Sequence, residues 1–461
     1  MTTNLLGGGT RLKTMWRLSW PAIMEQILST MVSYVDTAMV GVLGAGATAA
    51  VSVNAASLWL ISGILAGVGV GYSVQVSNAI GAGDDSLARD VIRQGILGTL
   101  VCGAVSLVIF QILAGYIPLW LGAKPDVLPH AAAYLRYYTL AMPWIAASAI
   151  FSAILRCMGN TKAPLIFNTL ANLCNLALNC LFIYETRTVR LLGRAVTVPG
   201  AGLGVEGAAI ASALSWTVAG SALLFIGLRQ GDRFRVRFAE GLRPNRAIIR
   251  MAVYLGLPSA LERATINLGQ IALTALVASI GTVALAAHQI ANTAEGLCYL
   301  PAYGISYAGI ALVGQSVGAR SKEDAKAFGS LAALAALILC TVLAVLLFLF
   351  APMLSALFNT DPAVVREAAL MLRIVCFAEP PFALSIVLSG TLRGAHDVRF
   401  PMATGLVCMW GVRITLALVL VGKAGLGLAG VWIAMSADLI LRGVLCTLRW
   451  HGEKWVKKCG L

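Results

Sequence analysis

Residues 328–352 read FGSLAALAALILCTVLAVLLFLFAP and contain no charged side chain. A helix of this length is about 38 Å long, which exceeds the roughly 30 Å of hydrocarbon in a bilayer. Similar runs recur along the 461 residues, of which 59% are hydrophobic and only 12% charged. Because these runs are apolar on nearly every face, whereas membrane β-strands alternate, the sequence predicts an all-α membrane protein and excludes a barrel.

The apolar runs, separated by short polar clusters, predict twelve transmembrane helices. We place these spans near residues 15–41, 50–77, 94–117, 131–155, 164–184, 203–228, 251–280, 284–314, 328–352, 366–391, 401–422 and 425–448. The first residues, MTTNLLGGGTRLKTMW, lack the short apolar core and cleavage site of a signal peptide, so none is predicted. The first span is therefore expected to belong to the fold.

The distribution of basic residues predicts the orientation of these spans. Of the 34 Lys and Arg residues, 24 lie on the side that holds both termini and 7 lie on the other side. The remaining 3, Arg136, Arg263 and Arg413, fall within predicted spans. The positive-inside rule therefore predicts cytoplasmic termini. The net charge of +14 is thus explained by topology, and we expect the basic segment 229–250 to touch anionic lipid and not nucleic acid.

The two halves of the chain resemble each other under a register shift of 237 residues. The shift places Pro21, Glu25, Gly81, Pro143, Arg156 and Pro164 on Pro258, Glu262, Gly318, Pro380, Arg393 and Pro401. After a loop that is longer in the first half, the shift becomes 223, and GLGVEGAAIASA from Gly202 matches GLGLAGVWIAMS from Gly425. Because an even number of spans separates equivalent positions, a pseudo-two-fold axis along the membrane normal is expected. The predicted domains are six-helix bundles at residues 1–228 and 251–461, joined by the linker 229–250.

Ionisable residues inside spans are costly, so each one is a functional candidate. Asp36 stands out because no basic residue lies within ten positions of it, and Tyr34 is its polar neighbour. A desolvated, unpaired carboxyl can carry a proton, or can bind sodium if other oxygen ligands converge. In the fifth span, Asn168, Asn172, Asn175 and Asn179 are spaced 4, 3 and 4 apart and share one helix face. This stripe is interpreted as cavity-lining; hydrogen bonding between helices is the alternative.

The second half contributes three more acids within spans, Glu262, Glu295 and Glu379. Glu379 precedes Pro380-Pro381, which break the helix and free carbonyls that only protein or a water-filled cavity can satisfy. These residues are candidates for a second carboxyl or for substrate binding, together with Tyr34 and Asn172. Internal ion pairs are the alternative for any of these acids, and Glu262 and Asp438 suit that alternative best.

No signature of a soluble enzyme or nucleotide-binding domain occurs in the sequence, so neither ATP hydrolysis nor a cofactor is expected. Instead, repeated bundles place a substrate path at their interface, where rocking of the halves opens it to each side in turn. This pattern favours a transporter.

The chain resembles the multidrug and toxic compound extrusion (MATE) family in its bacterial branch. The resemblance rests on SWPAIMEQ (19–26), VDTAMVGVLG (35–44), VASIGTVALAAHQI (277–290), PAYGISYAGIALVGQSVGA (301–319) and AEPPFALSIVLSGTLRGAHDVRFP (378–401). It implies two bundles around a V-shaped cleft, located in the bacterial inner membrane. It also implies export of amphipathic, cationic compounds in exchange for protons or sodium ions.

The family's N-terminal cation site, carried over residue by residue, comprises Asp36, Asn175, Asn179 and Ser212. Two of these positions depart from the family pattern, because Asn179 replaces a common acid and Ser212 replaces a threonine. Losing one carboxylate weakens a sodium site more than a proton site, which favours proton coupling. The expected partners are an amphipathic small molecule, the coupling cation and membrane lipid, and the chain is expected to act as a monomer. An oligosaccharide-lipid flippase is the alternative, and it would require a cationic cleft.

Overall fold

The computed structural model of the chain describes residues 10–191, 194–230, 234–236, 242–452 and 454–460, with only the backbone described at 32–34, 36, 37, 45, 187–191 and 194–198. The helices of the first half are α1 (Arg11–Gly41), α2 (Ala45–Gly81), α3 (Asp85–Leu113), α4 (Tyr116–Trp120), α5 (Leu128–Thr139), α6 (Met142–Cys157), α7 (Lys162–Phe182) and α8 (Gly204–Leu228). Between α7 and α8, β1 (Glu185–Leu191) and β2 (Arg194–Ala201) form an antiparallel hairpin. The longer loop of the first half therefore holds this hairpin.

The second half repeats the arrangement of the first. Its helices are α9 (Arg246–Ile280), α10 (Thr282–Gly318), α11 (Lys322–Phe358), α12 (Pro362–Val375), α13 (Glu379–Gly394), α14 (Arg399–Leu406), α15 (Thr415–Gly422), α16 (Gly427–His451) and α17 (Lys454–Cys459). A π-helical segment, Val407–Ile414, joins α14 to α15 within one continuous span. Because α9 begins at Arg246, the last five residues of the predicted linker 229–250 belong to a helix and not to a linker.

The helices account for the predicted twelve spans. Within the described residues, nine helices are long and apolar enough to cross a membrane, and two bent pairs raise this number to eleven. The twelfth is α1, whose 31 residues extend over about 46 Å and whose Pro21 is equivalent to Pro258 of α9. The chain is thus an all-α membrane protein whose helices form twelve transmembrane spans, six in each of two bundles.

The fourth and tenth spans are broken, which differs from the continuous spans predicted at 131–155 and 366–391. The bend between α5 and α6 is 52°, and the bend between α12 and α13 is 59°. Pro143 and Pro380, which are equivalent under the repeat, each lie in the first turn of the helix after the break. Proline is accepted there because its missing N–H would have no intrahelical partner. The break is therefore a feature of both halves.

The two bundles meet along α2 and α10 near the end that holds the described chain termini. A Cβ on Gly81 would lie 2.8 Å from Cα of Gln315, and a Cβ on Gly318 would lie 2.9 Å from Cα of Asn78. Since Asn78 and Gly81 are equivalent to Gln315 and Gly318, the two contacts are related by the pseudo-two-fold axis. Glycine is needed on both sides because the helix backbones approach too closely for a side chain.

Candidate functional site

The asparagine stripe of α7 lies against α1. Asn168 Nδ2 donates to Glu25 Oε1 over 2.6 Å, and Asn172 Nδ2 donates to Ser29 Oγ over 3.4 Å. Both pairs are separated by 143 residues in sequence. The two helices therefore run parallel in a fixed register. Asn168 and Asn172 make hydrogen bonds between helices, which is the alternative to a cavity-lining role.

The same register places residue 36 at the height of Asn179, which lies 143 positions later. Parallel α-helices advance by about 1.5 Å per residue, so equal steps along α1 and α7 keep their residues level. The side chains of Tyr34 and Asp36 lie outside the described residues, and only their backbone in α1 is placed. The predicted roles of these two side chains therefore stay predictions.

A buried polar cluster occupies this height. Asn179 Nδ2 donates to Asn175 Oδ1 over 3.2 Å, and Asn175 Nδ2 donates to Ser212 Oγ over 3.1 Å. All three side chains are buried, and Asn179 has no exposed surface. The structure therefore brings together the three polar residues that the family resemblance grouped with Asp36. Their amide and hydroxyl oxygens are the kind of ligand that an alkali cation accepts, and they can also orient a carboxyl that carries a proton.

Each bundle contains a buried glutamate–arginine pair at the same place. Arg156 Nη2 donates to Glu25 Oε1 over 2.6 Å, and Arg393 Nη2 donates to both oxygens of Glu262 over 2.8 Å. Each pair spans 131 residues, and the two pairs are related by the shift of 237. Glu262 is thus held by Arg393 and not by its neighbour Arg263.

Arg156 and Arg393 were not predicted to bind these acids. The internal repeat could have indicated these partners, because Arg156 and Arg393 match under the same shift of 237 residues that matches Glu25 and Glu262. Arg156 also lies over the ring of Tyr307 in α10, with 4.4 Å between the guanidinium carbon and the ring centroid. The pair of the first bundle therefore touches the second bundle.

The two remaining acids of the second bundle lie next to each other. Glu295 of α10 is 5% exposed, and Glu379, the first residue of α13, has no exposed surface. The two carboxyl groups are close enough to influence each other electrostatically, although neither oxygen of Glu379 has a hydrogen-bond partner among the described residues, and Arg413 of the π-helical segment acts on Glu295. Two buried carboxyl groups near each other do not readily ionise together, because this would place like charges side by side. The break before α13 therefore brings Glu379 next to Glu295, and we call these two residues the acid pair. The sequence analysis named both residues but did not predict that they lie together.

Asp438 binds two arginines. Arg442 Nη2 donates to its two oxygens over 2.8 and 2.9 Å, and Arg413 Nε lies 3.0 Å from Oδ2. The sequence favoured an internal ion pair for Asp438, and the structure shows one, with Arg442 and Arg413 as its partners. Arg136, the third arginine predicted within a span, lies exposed in the last turn of α5.

Two six-helix bundles related by an internal repeat, with buried carboxyl and amide groups within the spans, define a membrane transporter. The family model described as MatE matches residues 21–181 and 258–419, one segment in each bundle. The chain belongs to this family of multidrug and toxic compound extrusion transporters, and it is not an enzyme.

Curated relatives cover nearly the whole chain. A protein named probable multidrug resistance protein NorM, from Pseudomonas aeruginosa, is 30% identical over 447 residues, which are 95% of this chain and 88% of that protein. A protein of the same name from Thermotoga maritima is 27% identical over 450 residues, 97% of this chain and 94% of that protein. Both relatives are named as probable multidrug resistance proteins of bacteria, in agreement with the resemblance.

Solved structures confirm the fold. A MATE family transporter described as being in an outward-facing conformation superposes with a TM-score of 0.89, at 22% identity, over 99% of this chain and 98% of that chain. A second, described as MATE in the bent conformation, gives 0.88 at 22% identity over 100% and 99%. At this identity the likeness concerns the arrangement of helices alone.

Proposed function

We propose that this transporter exports amphipathic compounds, cationic ones among them, in exchange for protons or sodium ions by alternating access. The observation that carries the proposal is the 143-residue register of α1 and α7. It sets residue 36, an aspartate, level with the buried cluster of Asn175, Asn179 and Ser212. A carboxyl beside amide and hydroxyl oxygens can bind and release a small cation.

The ligand set favours the proton as the coupling ion. Asn179 and Ser212 carry no charge, so Asp36 is the one anionic member of the proposed site. A sodium ion that gives up its hydration shell is poorly compensated by one carboxylate and neutral ligands, whereas a proton needs only the carboxyl oxygen. The acid pair of Glu295 and Glu379 offers a second place for a proton in the other bundle.

Alternating access is supported by where the bundles touch. The glycine contacts between α2 and α10 lie at the end that holds the described termini, which the basic residues predict to be cytoplasmic. The bundles are packed together on that side, which is the arrangement expected for a cleft that opens outward. Uptake of the cation would favour release of the exported compound, and loss of the cation inside would reset the cleft. Because one chain supplies both bundles, the cycle is complete in a monomer of the inner membrane.

The experiment is dye efflux from proteoliposomes under separately imposed proton and sodium gradients, for the wild type and for Asp36→Asn. We expect the wild type to respond to the proton gradient, and Asp36→Asn to lose at least about tenfold of the driven rate, because an amide cannot exchange a proton. Asp361→Asn, the same change at an exposed helix cap, is the control and should keep the wild-type rate. Unimpaired, cation-driven efflux by Asp36→Asn would refute the proposed site.

A further inference from the structure

A groove of about 720 Å³ lies on the first bundle, between α6, the end of α8 and the segment that follows α8. Its wall on α8 is formed by side chains at the spacing of one helix face, Ser221, Leu224, Phe225 and Leu228. Trp144 of α6 adds an aromatic side chain to this wall, and Arg229 and Arg235 lie at the other end. The groove therefore combines a largely apolar body with a basic end.

The length of the groove matches one leaflet of a bilayer. Gly220 of α8 packs against the backbone of Trp144 and marks the deep end, and Arg229 follows the last residue of α8 at the other end. The nine residues from Gly220 to Arg229 advance about 14 Å, which is close to half of the roughly 30 Å hydrocarbon core. Because the basic residues predict that this end of α8 is cytoplasmic, the groove runs from near the midplane to the cytoplasmic surface.

The face of α8 that carries the groove is open to lipid. Its other faces pack against α5, α6 and α7 of the same bundle. The exposed apolar side chains of α8, Leu214, Val218 and Phe225, follow one stripe along the helix. Acyl chains cover such a stripe within a span, since lipid tails are as apolar as leucine. A lipid molecule can therefore enter the groove sideways from the bilayer.

Two arginines are held at the cytoplasmic end of the groove. The backbone N–H of Val236 donates to the carbonyl of Leu228 over 3.0 Å, which folds the chain back and places Arg235 beside the end of α8. The guanidinium carbon of Arg229 lies 4.4 Å from the ring centroid of Phe225, so one flat face is covered and the N–H edge stays available. Among the residues that the structure describes, the groove lining contains no acid and neither arginine makes an ion pair. Two positive charges are thus left without an internal counter-charge.

The second bundle provides an internal anion at the equivalent place. The shift of 223, continued past the end of α8, places Arg235 on Lys458. Lys458 Nζ lies 2.6 Å from Oδ1 of the buried Asp397. The shift of 237 places Asp397 on Asn160, which is neutral and donates to Gln230 over 3.0 Å. The basic end of the first bundle therefore lacks the carboxylate that its equivalent has, and an anion from outside the chain can take that place.

We infer that the groove is a binding site for one anionic phospholipid of the cytoplasmic leaflet. Arg229 and Arg235 bind the headgroup phosphate through charge-assisted hydrogen bonds, and an acyl chain lies along α8 as far as Trp144. The sequence predicted contact of the whole segment 229–250 with anionic lipid, and the groove limits the specific contact to these two arginines. The lipid is a resident ligand that fastens this segment to α8, and it is not the exported compound. The inference does not depend on the proposed coupling ion or cargo.

The test is native mass spectrometry of the purified, detergent-solubilised protein, which counts bound lipid during a titration. The lipids are dioleoylphosphatidylglycerol, which is anionic, and dioleoylphosphatidylcholine, which has the same chains and no net charge. The variant Arg229→Gln/Arg235→Gln removes the charges, and Ser221→Trp keeps both arginines but fills the groove. The control, Arg243→Gln/Arg246→Gln, removes the same charge from exposed positions of the same segment outside the groove lining.

We expect the wild type to bind its first phosphatidylglycerol at least about tenfold more tightly than phosphatidylcholine, and the arginine double variant to lose this preference, because charge-assisted hydrogen bonds are lost. Ser221→Trp should weaken the first phosphatidylglycerol to a similar extent, and the control should keep the wild-type affinity within about twofold. Added phosphatidylglycerol should raise the unfolding temperature of the wild type and the control but not of the two groove variants, since a ligand of the folded state stabilises it. Unfolding without added lipid shows that each variant is folded.

Several outcomes would overturn the inference. Equal binding of the two lipids by the wild type, or unchanged phosphatidylglycerol affinity in either groove variant, would exclude a lipid site in the groove. A loss in the control as large as in the arginine double variant would show that the whole segment attracts lipid by charge alone. Displacement of phosphatidylglycerol by excess inorganic phosphate would assign the arginines to a free anion, and displacement by an exported dye would assign the groove to the substrate path. Dye efflux is measured separately, so none of these results decides the proposed function.

Discussion

Glu25 and Glu262 occupy equivalent positions in the two bundles, and each holds an arginine that follows it by 131 residues. The side chains of Glu262 and Arg393 are only 8% and 10% exposed, so neither charge can be hydrated if the other is removed. Such a pair ties α9 to α13, as its equivalent ties α1 to α6. The role of each of these glutamates is therefore determined by the arginine that helix packing places beside it.

Glu262→Gln is expected to destabilise the protein by about 3 kcal/mol, because it leaves Arg393 as an unpaired buried charge. Adding Arg393→Gln should restore part of this loss, since the double variant buries no net charge. The stability of the single and the double variant is measured by thermal unfolding in detergent, followed by tryptophan fluorescence. The control is Glu323→Gln, whose side chain is 86% exposed beside Arg11, and which should leave the unfolding temperature unchanged. Equal shifts for the buried and exposed glutamates would contradict the buried pair.

Helices of different bundles pack through glycine at equivalent positions. A Cβ on Gly67 of α2 would lie 2.5 Å from Cα of Ala260 in α9, and a Cβ on Gly304 of α10 would lie 2.6 Å from the backbone nitrogen of Ile23 in α1. Both distances are far below van der Waals contact. The same close approach thus occurs twice, once for each helix pair that the internal repeat relates, as is common where small residues join membrane helices.

Gly67→Ala should separate α2 from α9 and destabilise the protein by about 1–3 kcal/mol, the usual cost of overpacking. Gly46→Ala, in the same helix, has open space within 4 Å of the new methyl group and should be neutral or slightly stabilising. Unfolding temperature and efflux rate are compared for the two variants. If the two variants had the same unfolding temperature and efflux rate, the close approach of α2 and α9 at Gly67 would be contradicted.

The whole molecule is an approximately symmetric pair of bundles with different chemistry in each half. The proline breaks, the glycine contacts and the Glu–Arg pairs occur in both. The asparagine stripe occurs only in the first bundle, where Asn175 and Asn179 are replaced in the second by Val412 and Leu416 under the shift of 237. The acid pair of Glu295 and Glu379 occurs only in the second, where Leu58 and Met142 are the equivalents. The two bundles therefore share their helical framework and differ in their buried polar residues.

A disulfide across the bundles should block transport if they separate during the cycle. The Cβ of Ser77 lies 3.0 Å from the position of a Cβ on Gly314 in the other bundle, so a Ser77→Cys/Gly314→Cys pair needs only a small backbone shift to form a bond. Ser306→Cys/Gly390→Cys, with 3.3 Å between the same atoms inside the second bundle, is the matched control.

Oxidation is expected to stop efflux in the first double variant, with recovery on reduction, and to leave the second one active. Dye efflux is measured before oxidation, after oxidation and after added reductant. Full activity of the oxidised pair across the bundles, with the bond verified by mass spectrometry, would contradict alternating access between these bundles.

The sequence by itself determined the twelve helices, the repeat of two bundles and the family. Span length and apolar composition are local properties, and a chain so poor in charge has no other stable fold in lipid. Only the tertiary structure decided which charges meet, since partners such as Glu262 and Arg393 are brought together by helix packing over more than a hundred residues. It also decided the height of the asparagine stripe relative to α1. These depend on register and crossing of helices, which hydropathy does not encode.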